Sequence, residues 1–393
     1  MKVAVVKERR AFERRVAASP DTVKQMAGSG LDVAVEAGAG EGACFVDAAY
    51  RAAGATIAAD AAAALDGADI VLKVQRPLLG GGGGEPDELK LIKKGAALVG
   101  LLSPLQNPDD VAAYAKAGIA AMAMELIPRI TRAQTMDVLS SQANLAGYKA
   151  ALDAAATFGR AMPMMMTAAG TIKAAGVLVM GAGVAGLQAS ATARRLGAVV
   201  LATDVRAAAK EQVESLGATF ISVDEHAAKS AETAGGYARE MGEDYQRRQH
   251  QIITDTLKRI DIVICTALIP GRKAPILLTR EMLDVLAPGS VVADIAVESG
   301  GNVEGSKPEE TVTTANGVKI VGYANAPAHI AVDASLLYAR NLFAFLALLV
   351  DNEKKLRIDT SDEIVKAALL TLDGAVVNPA LIPPETAASP SNS

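Results

Sequence analysis

The most constraining feature of the chain lies between Val177 and Asp204, VLVMGAGVAGLQASATARRLGAVVLATD. An apolar run, Val177–Met180, leads into Gly181-Ala182-Gly183-Val184-Ala185-Gly186, and a helical pattern follows from Val184 to Leu196. Gly197 stops that helix, and a second apolar run, Val199–Thr203, ends at Asp204. This order of strand, glycine-rich turn, helix and strand predicts a βαβ unit. The first glycine permits the tight turn, the second lets a pyrophosphate approach the backbone, and the third lets helix and strand pack closely. Unpaired N–H groups and the dipole at the helix start favour phosphate. An acid at the end of the second strand accepts hydrogen bonds from an adenosine ribose and repels a 2′-phosphate. The frame therefore predicts NAD(H), with Gly181, Gly183, Val184, Ala185, Gly186, Asp204, Val205 and Arg206 as its contacts. Arg206 is the one basic residue at odds with that preference. The plain alternative is a glycine turn beside a solvated strand end.

Short β-branched runs alternate with Ala-rich helical stretches along almost the whole chain, which predicts an α/β fold with parallel sheets. Two Rossmann-like domains flanking a cleft are expected, the first of them discontinuous. The first covers 1–136 and is completed by about 332–380; the second covers 137–331; 381–393 reads as a Pro- and Ser-rich tail. Strands are expected at Val3–Val6, Leu31–Val35, Ile70–Lys73, Ala97–Leu101 and Ile119–Met122. In the second domain they are expected at Gly176–Met180, Val199–Thr203, Thr219–Ser222, Ile260–Thr266, Ser290–Asp294 and Lys319–Gly322. A helix opens at Ser19-Pro20, with the serine as cap and the proline at a position where its missing N–H costs nothing. A long apolar helix is expected over Ala331–Val350.

Composition excludes several classes. The net charge is −5 and aromatic residues make up 3% of the chain, which argues against both the basic footprint and the stacking platform of a nucleic-acid binder. A membrane-spanning helix needs roughly 20 apolar residues in succession; the run Leu342–Val350 ends at Asp351. The start, MKVAVVKERR, carries no signal-peptide pattern. Cys44 and Cys265 stand alone, which predicts two reduced core thiols, no disulfide and no metal site. The five glycines 80–84 lack the Lys-Ser/Thr of a P-loop and read as a surface loop. Residues 222–251 are too long for a tight connection and suggest a functional lid or a disordered segment. Thr266 and Ala267, like the run 296–302 (AVESGGN), follow strands on the side where α/β sheets bind ligands.

The segment Val177–Asp204 resembles the nucleotide-binding signature shared by alanine dehydrogenases and pyridine nucleotide transhydrogenases. Lys7–Val23, KERRAFERRVAASPDTV, is similar to the other signature of that superfamily. Pro128–Gln142, PRITRAQTMDVLSSQ, resembles the Arg-Gln-Asp loop of the NAD(H)-binding domain of proton-translocating transhydrogenases. The resemblance runs from Met1 to about Pro379. It implies that Arg129, Gln134, Asp137 and Ser140 hold the nicotinamide end of NAD(H), with Gln134 reaching toward an NADP(H)-bearing partner. Arg offers a fork of donors, Asp accepts from a carboxamide, and Gln and Ser can do either. Spacing alone leaves another reading open, a surface helix start capped by Thr131 or Thr135. The resemblance also assigns Tyr237, in GGYAREMG, to a loop that closes over bound nucleotide.

Lys73 and Arg15 resemble the lysine and the carboxylate-gripping arginine of the amino-acid dehydrogenases in this superfamily. Those enzymes also use a histidine. The first domain has none, because the three are His226, His250 and His329, and Leu101-Leu102-Ser103 occupies the expected place. Histidine is the usual proton carrier near neutral pH, whereas direct hydride exchange between two nicotinamides needs no such group. The resemblance thus implies an oxidoreductase, an NAD(P)+ transhydrogenase of the Si–Re, B-specific type. NAD(H) is bound here, and NADP(H) on a partner subunit. A homodimer is expected on the cytoplasmic face of the inner membrane, docked on membrane-spanning, proton-translocating subunits. An alanine dehydrogenase-type enzyme and a non-catalytic NAD-sensing module are the alternatives.

Overall fold

Strands β1 (Lys2–Val5), β2 (Asp32–Glu36), β3 (Thr56–Ala58), β4 (Ile70–Gln75), β5 (Ala97–Leu101) and β6 (Ala120–Ala123) form one sheet. Its order is β3-β2-β1-β4-β5-β6, and every pairing is parallel. The structure, a computed structural model, describes residues 1–80, 85–206, 208–222, 243–269 and 271–382. Alternate residues of β1 feed opposite faces: Val3 and Val5 join one core, Ala4 and Val6 the other. Both faces are covered, which is why these strands read as continuous apolar runs. The three-residue β3 carries no such run; only Ala58 is buried, and the sequence gives no sign of it. Ser19 caps the helix Pro20–Gly28 in a reciprocal box with Thr22.

The chain divides into two compact units: Met1–Gln142 with the segment from Ile330 onward, and Ala143–His329. In the second, a two-stranded hairpin, β7 (Met165–Thr167) and β8 (Gly170–Ile172), precedes the sheet. The sheet strands are β9 (Gly176–Met180), β10 (Val199–Thr203), β11 (Thr219–Phe220), β12 (Ile262–Cys265), β13 (Val291–Asp294), β14 (Thr311–Thr313) and β15 (Lys319–Gly322). Their order is β11-β10-β9-β12-β13-β15-β14, parallel except for the edge strand β14. The order reverses between β9 and β12, the switch point where open α/β sheets leave a crevice beyond their strand ends.

The helix Ala331–Leu346 returns to the first unit and packs Tyr338, Leu342 and Phe345 into the core that holds Val3 and Val5. It stops four residues short of the expected end, because Val350 instead makes an antiparallel bridge to Leu356. A short antiparallel pair, β16 (Thr371–Leu372) and β17 (Ala375–Val376), completes the unit. Thr371 fixes it to β6, donating to the Ile119 carbonyl at 2.7 Å and accepting from the Ala121 N–H at 3.1 Å. One expectation is corrected. Cys265 is buried, but Cys44 is exposed, at the left-handed residue that closes the 3₁₀ turn Glu41–Ala43. No helix among the described residues is long and apolar enough to cross a membrane.

Candidate functional site

In the second unit the glycine turn joins β9 to the helix Val184–Arg195. Gly181 has φ +99°, which a side chain would strain. A Cβ on Gly186 would lie 1.7 Å from the Gly181 carbonyl oxygen, so only hydrogen fits there. Gly183 is the N-cap and supplies no side-chain bond, which leaves the first-turn N–H groups without a side-chain cap. Gly147 is a third glycine whose place resists a side chain, beside Gly181 and Gly186. A Cβ on it would lie 1.9 Å from the Ala185 carbonyl oxygen, so the helix Val138–Thr157 passes directly against the turn. Nothing in the spacing of the sequence announces that approach.

Two further strand ends brace the turn. The Thr266 hydroxyl donates to the Gly181 carbonyl at 2.9 Å. The Ala267 N–H donates to Asn302 Oδ1 at 3.0 Å, and Asn302 Nδ2 donates back to the Ala267 carbonyl at 2.9 Å. Asn302 is in turn held by Asp294, a buried carboxylate that accepts the N–H groups of Ala296, Asn302 and Val303. Burial pushes the Asp294 pKa up, against the pull of those N–H bonds. Asp294 and Asn302 thus shape the loop after β12, and sequence reading gave the first no role and the second only a tentative one.

Asp204, just past the end of β10, accepts the Ala182 N–H at 2.7 Å and so ties the strand end to the turn. Arg206 folds back on it: its backbone N–H and Nε reach Oδ1, and Nη2 reaches Oδ2, each at 2.9 Å. Both carboxylate oxygens are therefore engaged, and a ribose contact requires the Arg206 side chain to swing aside. Val184 and Ala185 lie in the first turn of the helix, and Val205 lies between the two charged residues. Tyr237 lies outside the described residues. The donor set suits a dinucleotide: an uncapped helix start for pyrophosphate, glycines where backbone must approach, and one carboxylate at the neighbouring strand end.

In the first unit, the segment after β6 makes a 3₁₀ turn, Thr131–Met136, whose Ala133 and Met136 enter the core while Arg129 and Gln134 stay exposed. The helix Val138–Thr157 is capped by Asp137. Its Oδ1 accepts the Ser140 N–H at 2.9 Å, and its Oδ2 accepts the Ser140 hydroxyl at 2.6 Å. The cap is therefore Asp137, not Thr131 or Thr135. Arg132 forks onto Asp362 at 2.7 and 3.0 Å and holds its pKa down at about 2.

At the switch point of the first sheet, between β1 and β4, lies a buried ionic cluster built on Lys73 and Gln75 of β4 and the segment after β1. Lys73 is bonded to both oxygens of Glu88, at 2.9 and 3.1 Å, and lies 3.4 Å from Glu8. Arg15 forks onto Glu13 at 2.7 and 2.8 Å and donates to Gln142 at 2.8 Å. Gln75 adds a donor to Glu13 at 2.7 Å. Burial raises the Glu8 pKa to about 7, with Lys73 pulling the other way and Glu13 and Glu88 adding to the rise. The two cations that resemble an amino-acid site are thus already satisfied by the chain's own carboxylates.

The N-terminal domain pattern of the alanine dehydrogenase/PNT family matches residues 4–146, and its C-terminal domain pattern matches residues 150–379. The chain belongs to the alanine dehydrogenase/PNT family. Over 382 residues it is 57% identical to an NAD(P) transhydrogenase subunit alpha polypeptide of Rhodospirillum rubrum, spanning 97% of this chain and 99% of that one. The crystal structure of transhydrogenase from Sinorhizobium meliloti is 51% identical and superposes with a TM-score of 0.84, covering 96% of this chain and all of that one. Alanine dehydrogenase of Bacillus subtilis is more distant, 29% identical over 96% of this chain and 92% of its own length. Similarity of this extent supports an oxidoreductase of the transhydrogenase alpha-subunit type.

Proposed function

We propose that the chain is the NAD(H)-binding subunit of a proton-translocating NAD(P)+ transhydrogenase of the Si–Re, B-specific type. Hydride passes directly between NADH held here and NADP+ on a partner subunit, and a separate membrane domain couples the transfer to proton movement. The observation that carries this reading is the bare helix start after Gly183, with Asp204 at the adjoining strand end. Bound NAD(H) supplies the hydride; the chain's residues bind and orient. The first-turn N–H groups hold pyrophosphate, and Asp204 takes the ribose once Arg206 swings aside. Thr266 and Ala267 line the neighbouring strand end, and the role that the resemblance assigns to Tyr237 is closure over the nucleotide.

Arg129, Asp137 and Ser140 fix the carboxamide, and Gln134 reaches toward the NADP(H)-bearing partner. Each Asp137 oxygen accepts one bond from Ser140, and a carboxylate oxygen has room for a second. Holding the ring at one angle is the main requirement of a hydride step between two bound reactants. The subunit acts as a homodimer docked on the cytoplasmic face of the inner membrane. The hairpin β7–β8 supports self-association: Met166 is 80% exposed and Met164 62%. The cluster around Lys73 and Arg15 weighs against amino-acid dehydrogenation, because Glu88 and Glu13 already occupy the two cations that a substrate carboxylate would need.

The test mixes the protein with a soluble NADP(H)-binding domain of a transhydrogenase and follows hydride exchange with an NADH analogue. Exchange is expected, without dependence on pyruvate or ammonia. Tight NADH binding with no exchange would identify a sensor, and pyruvate- and ammonia-dependent NADH oxidation would identify a dehydrogenase.

A further inference from the structure

The helix Ala331–Leu346 reads as apolar, yet Ser335, Tyr338 and Asn341 are all buried along it at intervals of three. Each successive pair is adjacent on the helix surface. Buried polar groups at such positions need partners, and each of these has one on a different segment. Ser335 Oγ accepts the Val16 N–H at 3.1 Å, and the Tyr338 hydroxyl donates to the Lys73 carbonyl at 2.9 Å. Asn341 makes two bonds. Its Nδ2 donates to the Thr135 carbonyl at 2.7 Å, and its Oδ1 accepts the Ser141 hydroxyl at 2.8 Å.

Those two partners bracket one stretch of chain. Thr135 follows Gln134 in the 3₁₀ turn, and Ser141 follows Ser140 in the first turn of the helix that Asp137 caps. One side chain, far away in sequence, therefore clamps both ends of the segment that presents Gln134, Asp137 and Ser140. An amide suits the task because it carries a donor and an acceptor side by side. A carboxylate at the same place would set an oxygen against the Thr135 carbonyl. An apolar residue would leave that carbonyl without its donor and release the Ser141 hydroxyl to the Val138 carbonyl of its own helix, 3.1 Å away, so the tie between the two ends would be lost.

We propose that Asn341 is a positioning residue for hydride transfer: it sets the presentation of the Gln134–Ser140 segment without itself touching NAD(H). The inference rests on the functional reading of that segment given above. Misplacing a reacting group by about 1 Å costs about 100-fold in rate, so a clamp on both ends of the segment acts on rate more than on affinity.

The experiment compares the full-length wild-type chain with Asn341→Leu, Asn341→Asp and Asn341→Gln. Three quantities are measured: hydride exchange with an NADP(H)-binding domain, NADH dissociation constant, and amide hydrogen exchange across residues 131–141. Leu and Asp should slow transfer about 10- to 100-fold, leave NADH affinity within about threefold, and speed amide exchange in the segment. Gln keeps both hydrogen-bonding groups and should recover part of the rate. Unchanged amide exchange in the Leu and Asp variants would overturn the clamp. Faster amide exchange with an undiminished transfer rate would overturn its role in the reaction. Absence of transfer in the wild type would instead refute the functional reading, and amide exchange would still decide whether Asn341 holds the segment.

Discussion

Asp204 shows how far a single residue can be read. Its place eighteen residues beyond Gly186 marks it in the sequence, and the structure ties it to the turn through the Ala182 N–H. The fold-back of Arg206 was not legible, because it depends on a side-chain rotamer two residues away. That pairing sharpens the prediction. Asp204→Ala should weaken NADH binding by about 1–3 kcal/mol through lost hydrogen bonds, and it frees Arg206 to meet a 2′-phosphate. NADPH affinity should therefore rise relative to NADH in fluorescence titrations of both cofactors. An unaltered ratio would place Arg206 away from the ribose.

Glu8 gives a second prediction at the same scale. Burial, with the carboxylates of Glu13 and Glu88 adding to it, outweighs the pull of Lys73 and holds Glu8 in its neutral form up to about pH 7. A carboxyl whose folded pKa lies above its unfolded value stabilises the fold at low pH and loses that contribution as pH rises through the folded value. For Glu8 the window runs from about 4.5 to about 7. Glu8→Gln keeps an acceptor for the Val74 N–H and removes the ionisation. It should raise stability at pH 8 by about 1–2 kcal/mol and flatten the melting temperature between pH 5 and 8. An identical pH profile in thermal melts would show that Glu8 stays charged. Neither Glu8 nor the cluster was legible beforehand, since Lys7–Val23 shows which charges are present but not which are buried together.

At the level of elements, central strands were readable and edge strands only in part: β6 and β11 fall on expected runs, with bounds shifted or shortened, whereas β3 and β14 were not expected. β9, β10 and β15 have the expected bounds because each is a run of apolar residues between turn signals. β3 and β14 are three residues long and partly exposed, so local pattern cannot separate them from loop. The turn at Gly181–Gly186 was legible because its constraints are local, whereas Gly147 was not, because its obstacle is a backbone atom 38 residues away, at Ala185. Gly147→Ala forces two helix backbones apart and should destabilise the second unit by about 1–3 kcal/mol, with loss of NADH affinity. Gly159→Ala is the control, since a Cβ there meets nothing within 4 Å. Equal melting temperatures for the two variants would show that the helices slide without cost.

For the molecule as a whole, the question is what covers the hairpin β7–β8. A two-stranded ribbon is marginal in water by itself, and this one exposes Met164, Met165, Met166 and Ile172. Apolar groups gathered on an exposed element mark an association surface, and methionine adapts its shape to the surface it meets. A second copy of the chain is the partner our reading assigns. Met166→Glu places a charge on the most exposed of these side chains without touching either sheet. It should shift the protein toward monomer in sedimentation equilibrium, by an amount that depends on concentration, while NADH affinity per chain holds. A wild-type protein already monomeric at micromolar concentration would remove the hairpin from this role. A dimer indifferent to the substitution would move the interface to another surface of the chain.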